Sequence, residues 1–311
     1  MELAFANLAT PDGDRAAVQL SSGTYRLDRL FPGCYEFGLR AMLDDWAGHY
    51  AGLPGRIANR LGAGGAQAAR VPNAEVRLTT PVKYPNKLVC VGAVYRDHLQ
   101  EMGLPAERWP HMPIFLRPPT TSLVGPQDEV RMPPDTQQFD WEIELAVVLG
   151  ARLTDGDLDQ ARAAIAGYSV GIDLTCRDQA HRSPVGVDLM RAKAQDGMAP
   201  MGPVLVPAEF VGDPQRLRLR LSVNGETKQD GSTGDMLYSV YEQVATISRF
   251  ITLEPGDVVF TGSCAGGGAA TGRFLQPGDS IHAEIEDVGC LDLRVAAPRQ
   301  RPAGFRAALH P

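Results

Sequence analysis

The chain has 311 residues, 44% hydrophobic and 22% charged, the composition of an ordinary globular protein with room for a sizeable core. A formal charge of −7 and the absence of any Lys/Arg run argue against nucleic acid or an anionic membrane as partner. The five cysteines are scattered without a CxxC, which argues against a disulfide framework or a cysteine zinc site; with no basic-then-apolar leader and no membrane-length apolar run, the expected location is cytoplasmic.

Along the chain, "LAFANLA", "RAAVQL" and "TYRLDRL" alternate in the manner of short strands, and helical patterns follow at 37–50 and 53–62. "LGAGGAQAARVPNAE" is small and irregular and reads as a linker. It places a boundary near residue 72, between a small N-terminal α+β domain (1–72) and a larger domain (73–311). "KLVCVGAVY" reads as a buried strand, and "RDHLQEMG" as a short helix closed by Gly103. "LPAERWPHMP" is a Pro-bounded loop. "ELAVVLG" and "AGYSVGID" are strands flanking a helix at "DLDQARAAIA". "LRLRLSVNGETKQDG" is a hairpin in which Asn224-Gly225 suits a type I′ turn. "SVYEQVATISRFI" is helical, the Pro-Gly-Asp turns open further strands, and "SCAGGGAATG" is a Gly/Ala-rich loop over a site. The fold class is mixed α/β, predominantly β.

Within "FDWEIELAVVLG", Glu142 and Glu144 stand two apart and so point to one side of a strand, about 6–7 Å from each other. Either that face is solvated, or a divalent cation sits between the carboxylates and offsets their repulsion. Asp173, ending the apolar run "YSVGID", is either a turn former or a third ligand. On the short helix, His98 and Glu101 are spaced i, i+3 and share a face, as an exposed ion pair or as an imidazole oriented by a carboxylate.

"YRDHLQEMG", "PIFLRPPTTSLVGP", "FDWEIELAVVLG", "AGYSVGIDLTCRD", "AKAQDGMAPMGP", "LRLRLSVNGETKQDGSTGDML" and "ITLEPGDVVFTGS", in this order, resemble the fumarylacetoacetate hydrolase family over about residues 81–296. Residues 1–72 carry no such signature. The resemblance implies a catalytic domain of rolled, mixed β-sheets, a homodimer, and one Mg²⁺ or Mn²⁺ per subunit held by Glu142, Glu144 and Asp173. An all-oxygen set suits such a hard cation and not zinc. By the same resemblance His98 and Glu101, in "YxxHxxE", form the catalytic dyad, and Lys193 faces a substrate oxyanion. Tyr95, Arg96, Arg177, Thr261, Gly262 and Ser263 are expected to bind a small 2-oxo acid.

Four departures from the family pattern stand out. Ser263-Cys264 replaces Thr-Pro, Ala180 stands where a glutamine is usual, Arg117 stands where lysine is frequent, and the Gly/Ala-rich loop is of its own kind. The implied activity is metal-dependent hydrolysis of a C–C bond in a 3-acylpyruvate or β-diketo acid through an enolate. The alternatives are a decarboxylase, an isomerase or a hydratase/dehydratase acting on a 2-oxo acid such as oxaloacetate or a hydroxymuconate, and, as a minor one, a catalytically silent metal-binding scaffold. On the repulsion argument, removal of Glu142 is expected to leave the fold largely intact.

Overall fold

Alternating apolar residues set the first strands of this computed structural model, which describes residues 3–299 apart from residue 127. They are β1 (Ala4–Thr10), β2 (Gly13–Leu20) and β3 (Gly23–Arg26), followed by helices α1 (Leu39–Asp44), α2 (Trp46–Tyr50) and α3 (Leu53–Arg60). The stretch expected to be a linker is mostly helical instead, through Leu61–Gly65, Ala66–Ala69 and Asn73–Glu75. A kink at Gly64, with φ of 80°, separates the first of these turns from Ala66–Ala69, and Ala69 is buried.

The rest of the chain supplies β4 (Leu88–Val91), α4 (Arg96–Glu101), β5 (Ile114–Arg117), β6 (Ile143–Leu149), α5 (Leu158–Ala164), β7 (Ile165–Ile172), α6 (Leu189–Lys193) and β8 (Ala199–Pro207). Then come β9 (Arg218–Val223), β10 (Glu226–Ser232), α7 (Val240–Phe250), β11 (Val258–Ser263), β12 (Ser280–Ile285) and β13 (Gly289–Ala296). Local chemistry fixes several boundaries. Asp157 with Gln160, and Ser239 with Glu242, form capping boxes that start α5 and α7. Asn224 and Gly225, with φ of 51° and 80°, make the turn between β9 and β10.

The main sheet has twelve strands, and its longer members run in the order β3-β2-β1-β8-β7-β6-β11-β4-β5. It is mixed: β11 and β4 are parallel, while β6 is antiparallel to both β7 and β11. Phe5 of β1 faces Leu205 of β8, so the strands of residues 4–26 continue the sheet that carries the rest of the chain. A second sheet, in the order β10-β9-β12-β13, ends on the short strand Val130–Arg131.

β6 lies inside this arrangement and is buried on both sides. Ile143, Leu145, Val147 and Leu149 enter one core, and Ala146 and Val148 enter another that includes Phe5, Leu39 and Met42. The side bearing Glu142 and Glu144 therefore continues into a packed core, which excludes the solvated-face alternative. Among the described residues, no helix is long and apolar enough to cross a membrane.

Candidate active site

Strand pairing gathers the acidic residues. Asp173 follows β7, and its amide donates to the carbonyl of Glu142 (2.8 Å), so the β6–β7 pairing runs on to set Asp173 beside the Glu142 end of the strand. On the other flank, Ser263 of β11 pairs with Glu144, with a register shift before Ala146. Glu142, Glu144 and Asp173 are 6%, 2% and 2% exposed, and one carboxylate oxygen from each lies within 4.8 Å of the others.

Each of these carboxylates has at least one oxygen engaged by the protein, and Glu142 and Asp173 have both engaged. Arg177 Nη2 donates to Glu142 Oε1 at 2.6 Å. The Gly262 amide donates to Glu144 Oε2 at 2.6 Å. The Arg117 guanidinium lies against Asp173 Oδ1. Lys193 Nζ then bridges the remaining oxygens of two of them, at 2.5 Å from Glu142 Oε2 and in contact with Asp173 Oδ2. Gly262 has φ +86°, and a Cβ there would meet the Val94 side chain at 2.6 Å; glycine is what lets this amide face Glu144.

The charges do not balance evenly. Burial works to raise the Glu142 carboxyl, but Arg177, Lys193 and His98 together hold it well below the usual carboxylate range. Burial and the neighbouring Glu142 charge push Glu144 up to about 8. Burial also draws the Lys193 ammonium below its ordinary value, against the pull of Glu142. Burial works to lower the Arg177 guanidinium, but Glu142 and Asp140 together raise it.

Hard oxygen donors fit a divalent cation of the Mg²⁺ or Mn²⁺ kind. The Lys193 ammonium already places positive charge between Glu142 and Asp173. Glu144, the carboxylate whose burial is least compensated, is the group that a further positive charge would stabilise. Glu142 is not merely one of two repelling charges, since it is ion-paired to Arg177 and Lys193. These ion pairs argue against the expectation that its removal spares the fold, because its loss leaves two cations short of a buried partner.

α4 brings the imidazole to the same place. His98 Nδ1 lies 3.0 Å from Glu101 Oε2, and Nε2 lies 4.0 Å from Glu142 Oε1. Leu99 anchors the helix in the core, and Gly103, with φ +69°, follows its end. The other oxygen of Glu101 accepts from the Gly266 amide at 2.8 Å, so the Gly/Ala-rich loop is tied to the His98–Glu101 pair. Asp140 holds that loop from the opposite side: its carboxylate accepts from the Gly268 and Ala269 amides and from Arg177 Nε (2.8 Å).

The remaining expected residues are placed unevenly. Tyr95 is fully buried, and among the described residues its hydroxyl has no hydrogen-bond partner. Arg96 is half exposed and lies 3.9 Å from Asp235. Arg177 is engaged by Asp140 and Glu142. The hydroxyls of Thr261 and Ser263 donate to the carbonyls of Leu145 (2.9 Å) and Ile143 (2.8 Å). Gln179, beside Ala180, donates to the Asp135 carbonyl.

Three residues at the site had not been assigned to it from the sequence: Arg117, Asp140 and Gln229. Gln229 reaches across from β10, accepting from the Ile143 amide (2.9 Å) and donating to Ser263 Oγ (2.9 Å). Arg117 stood out only as an arginine where the family tends to have lysine. Asp140 had a signal in its place two residues before Glu142. Gln229 had none.

A family model described as fumarylacetoacetate (FAA) hydrolase C-terminal matches residues 87–296. The human protein named oxaloacetate tautomerase FAHD2A, mitochondrial, is 39% identical over 228 residues, 73% of this chain and 71% of that protein. Oxaloacetate tautomerase YcgM of Escherichia coli K12 is 41% identical over 200 residues, 64% of this chain and 88% of that one. Among solved structures, maleylpyruvate hydrolase of Sphingobium sp. SYK-6, in complex with manganese(II) ion and pyruvate, superposes with a TM-score of 0.76 at 27% identity, covering 95% of this chain and 100% of that chain.

Proposed function

The chain belongs to the fumarylacetoacetate hydrolase family, and on that premise we propose that it is a divalent-metal-dependent enzyme that moves a proton on a small 2-oxo acid, interconverting the keto and enol forms of an oxaloacetate-type substrate. The observation that carries this reading is His98, held by Glu101 on one ring nitrogen and directed by the other toward Glu142 at the edge of the acidic cluster.

Glu142, Glu144 and Asp173 would hold Mg²⁺ or Mn²⁺, which supplies Lewis-acid stabilisation of an enolate when bound. His98 takes the proton from the carbon beside the keto group. Glu101 fixes the orientation of the ring and stabilises the imidazolium that results. Lys193, buried beside Glu142 and Asp173, supplies a positive charge for the developing enolate oxygen, which then receives the proton. With the hydroxyls of Thr261 and Ser263 committed to β6 carbonyls, Tyr95 is the expected substrate-binding residue with a buried hydroxyl still to be satisfied. The homodimer belongs to the same proposal.

Hydrolysis of a C–C bond in an acylpyruvate is the second reading, favoured by the similarity to maleylpyruvate hydrolase over nearly the whole chain. It demands more of the site, namely a water placed for attack beside a firmly held substrate. The position where a glutamine was expected is Ala180, and Gln179 is turned away onto Asp135.

The test follows enol absorbance of oxaloacetate and of acetylpyruvate, with and without Mn²⁺, for the natural protein and H98A. Metal-dependent enol–keto interconversion of oxaloacetate that H98A lacks supports the first reading. Release of acetate and pyruvate from acetylpyruvate instead supports the second. Metal binding without turnover of either acid replaces both with a silent scaffold.

A further inference from the structure

Arg117 is a fully buried side chain at the edge strand β5, a rare place for a permanently charged group. Its Nη1 donates to the Met198 carbonyl at 2.7 Å and its Nη2 to the Leu174 carbonyl at 2.9 Å. The same Nη2 lies against Asp173 Oδ1. The guanidinium thus spans the start of β8 and the residue after Asp173, while occupying one oxygen of Asp173 itself.

We propose that Arg117 is a positioning residue of the metal centre: by occupying Asp173 Oδ1 it restricts Asp173 to one-oxygen ligation and so favours small octahedral cations over calcium. The inference rests on the proposed metal centre and adds to it a selectivity device. Arg177 and the Gly262 amide treat Glu142 and Glu144 in the same way, each holding one oxygen. Lys193 holds the other oxygens of Glu142 and Asp173, so a cation taking one oxygen from each carboxylate would displace the ammonium there; three such one-oxygen ligands would leave room for water and the substrate's oxygens, which suits Mg²⁺ or Mn²⁺. Calcium takes more oxygens and gains from two-oxygen carboxylates, which this arrangement withholds. Arginine suits the task because its fork is planar and rigid, and because it cannot lose its charge when a cation arrives.

The experiment titrates the full-length protein, R117K and R117M with MnCl₂ and with CaCl₂ by calorimetry, and compares the ratio of the two dissociation constants. Lysine keeps a charge but cannot reproduce the fork, so R117K is expected to fold and to shift the ratio toward calcium. R117M frees Asp173 Oδ1 entirely, and a shift of about tenfold or more is expected. If Arg117 acts through charge alone, both ions bind more tightly by the same factor and the ratio stays fixed. If it only supports the fold, the melting temperature falls and the ratio again stays fixed. An unchanged ratio in the variants that fold overturns the proposal. Failure of the natural protein to bind either ion is a different result, and it removes the metal centre itself.

Discussion

Glu142, just before β6, and Glu144, within it, stand two residues apart, yet their acidities are displaced in opposite directions. Burial acts on both, but Arg177 and Lys193 hold Glu142 ionised, whereas burial and the Glu142 charge push Glu144 up to about 8. One carboxylate of the pair is anchored by cations, and the other is pushed toward its protonated form by burial and its neighbour's charge.

Cation binding should therefore release a proton. A divalent ion requires Glu144 ionised, so below pH 8 its affinity should rise about tenfold per pH unit for one proton displaced, and level off above. Calorimetry with MnCl₂ at pH 6.5, in two buffers of different ionisation heat, should give different apparent enthalpies. Identical enthalpies would show that Glu144 is already ionised.

Stability of the metal-free protein should fall as the solution becomes alkaline. A carboxyl whose acidity is weakened on folding contributes fully below its unfolded value, about 4.3, and that contribution is lost as pH rises through the folded value of about 8. Glu142 runs the other way: its contribution is present above the ordinary carboxylate range and is lost only in strong acid. Melting temperatures in chelator should decline between about pH 5 and pH 9, and saturating Mn²⁺ should flatten that decline. A flat profile in chelator is the contrary result.

The two glutamates should also respond differently to substitution. E142Q leaves Arg177 and Lys193 facing a neutral group and should cost about 3–5 kcal/mol of stability as well as metal affinity. E144Q removes an unfavourable charge and should keep the metal-free fold at pH 8.5 while losing metal affinity. Urea denaturation together with calorimetry separates the two, and equal destabilisation by both would contradict the charge arrangement described.

H98A should keep metal affinity and lose about 10²–10⁴-fold in kcat, the usual worth of a positioned base. E101Q should fall between H98A and the natural protein, because the imidazole keeps its place but loses the carboxylate that orients it. Loss of metal binding in H98A would show that the imidazole belongs to the cation's surroundings and not to proton transfer.

Short-range features of this protein were legible in its sequence because covalent geometry sets them. Two-residue spacing puts Glu142 and Glu144 on one side of a strand, i, i+3 spacing joins His98 to Glu101, and Asn224-Gly225 names its own turn. The family motifs added Asp173 and Lys193 as neighbours, and the strand-rich character followed from alternation. Sheet order decided the rest. That the glutamate-bearing side of β6 faces a second core depends on β1–β3 extending the main sheet, which alternation alone leaves open. Arg117 reaches Asp173 only because β5 ends near the start of β8, and Gln229 reaches Ile143 only because the second sheet meets β6. The physical reason is that a charge tolerated in a core depends on its partners there, and those partners are chosen by the packing of distant strands, which no local spacing encodes.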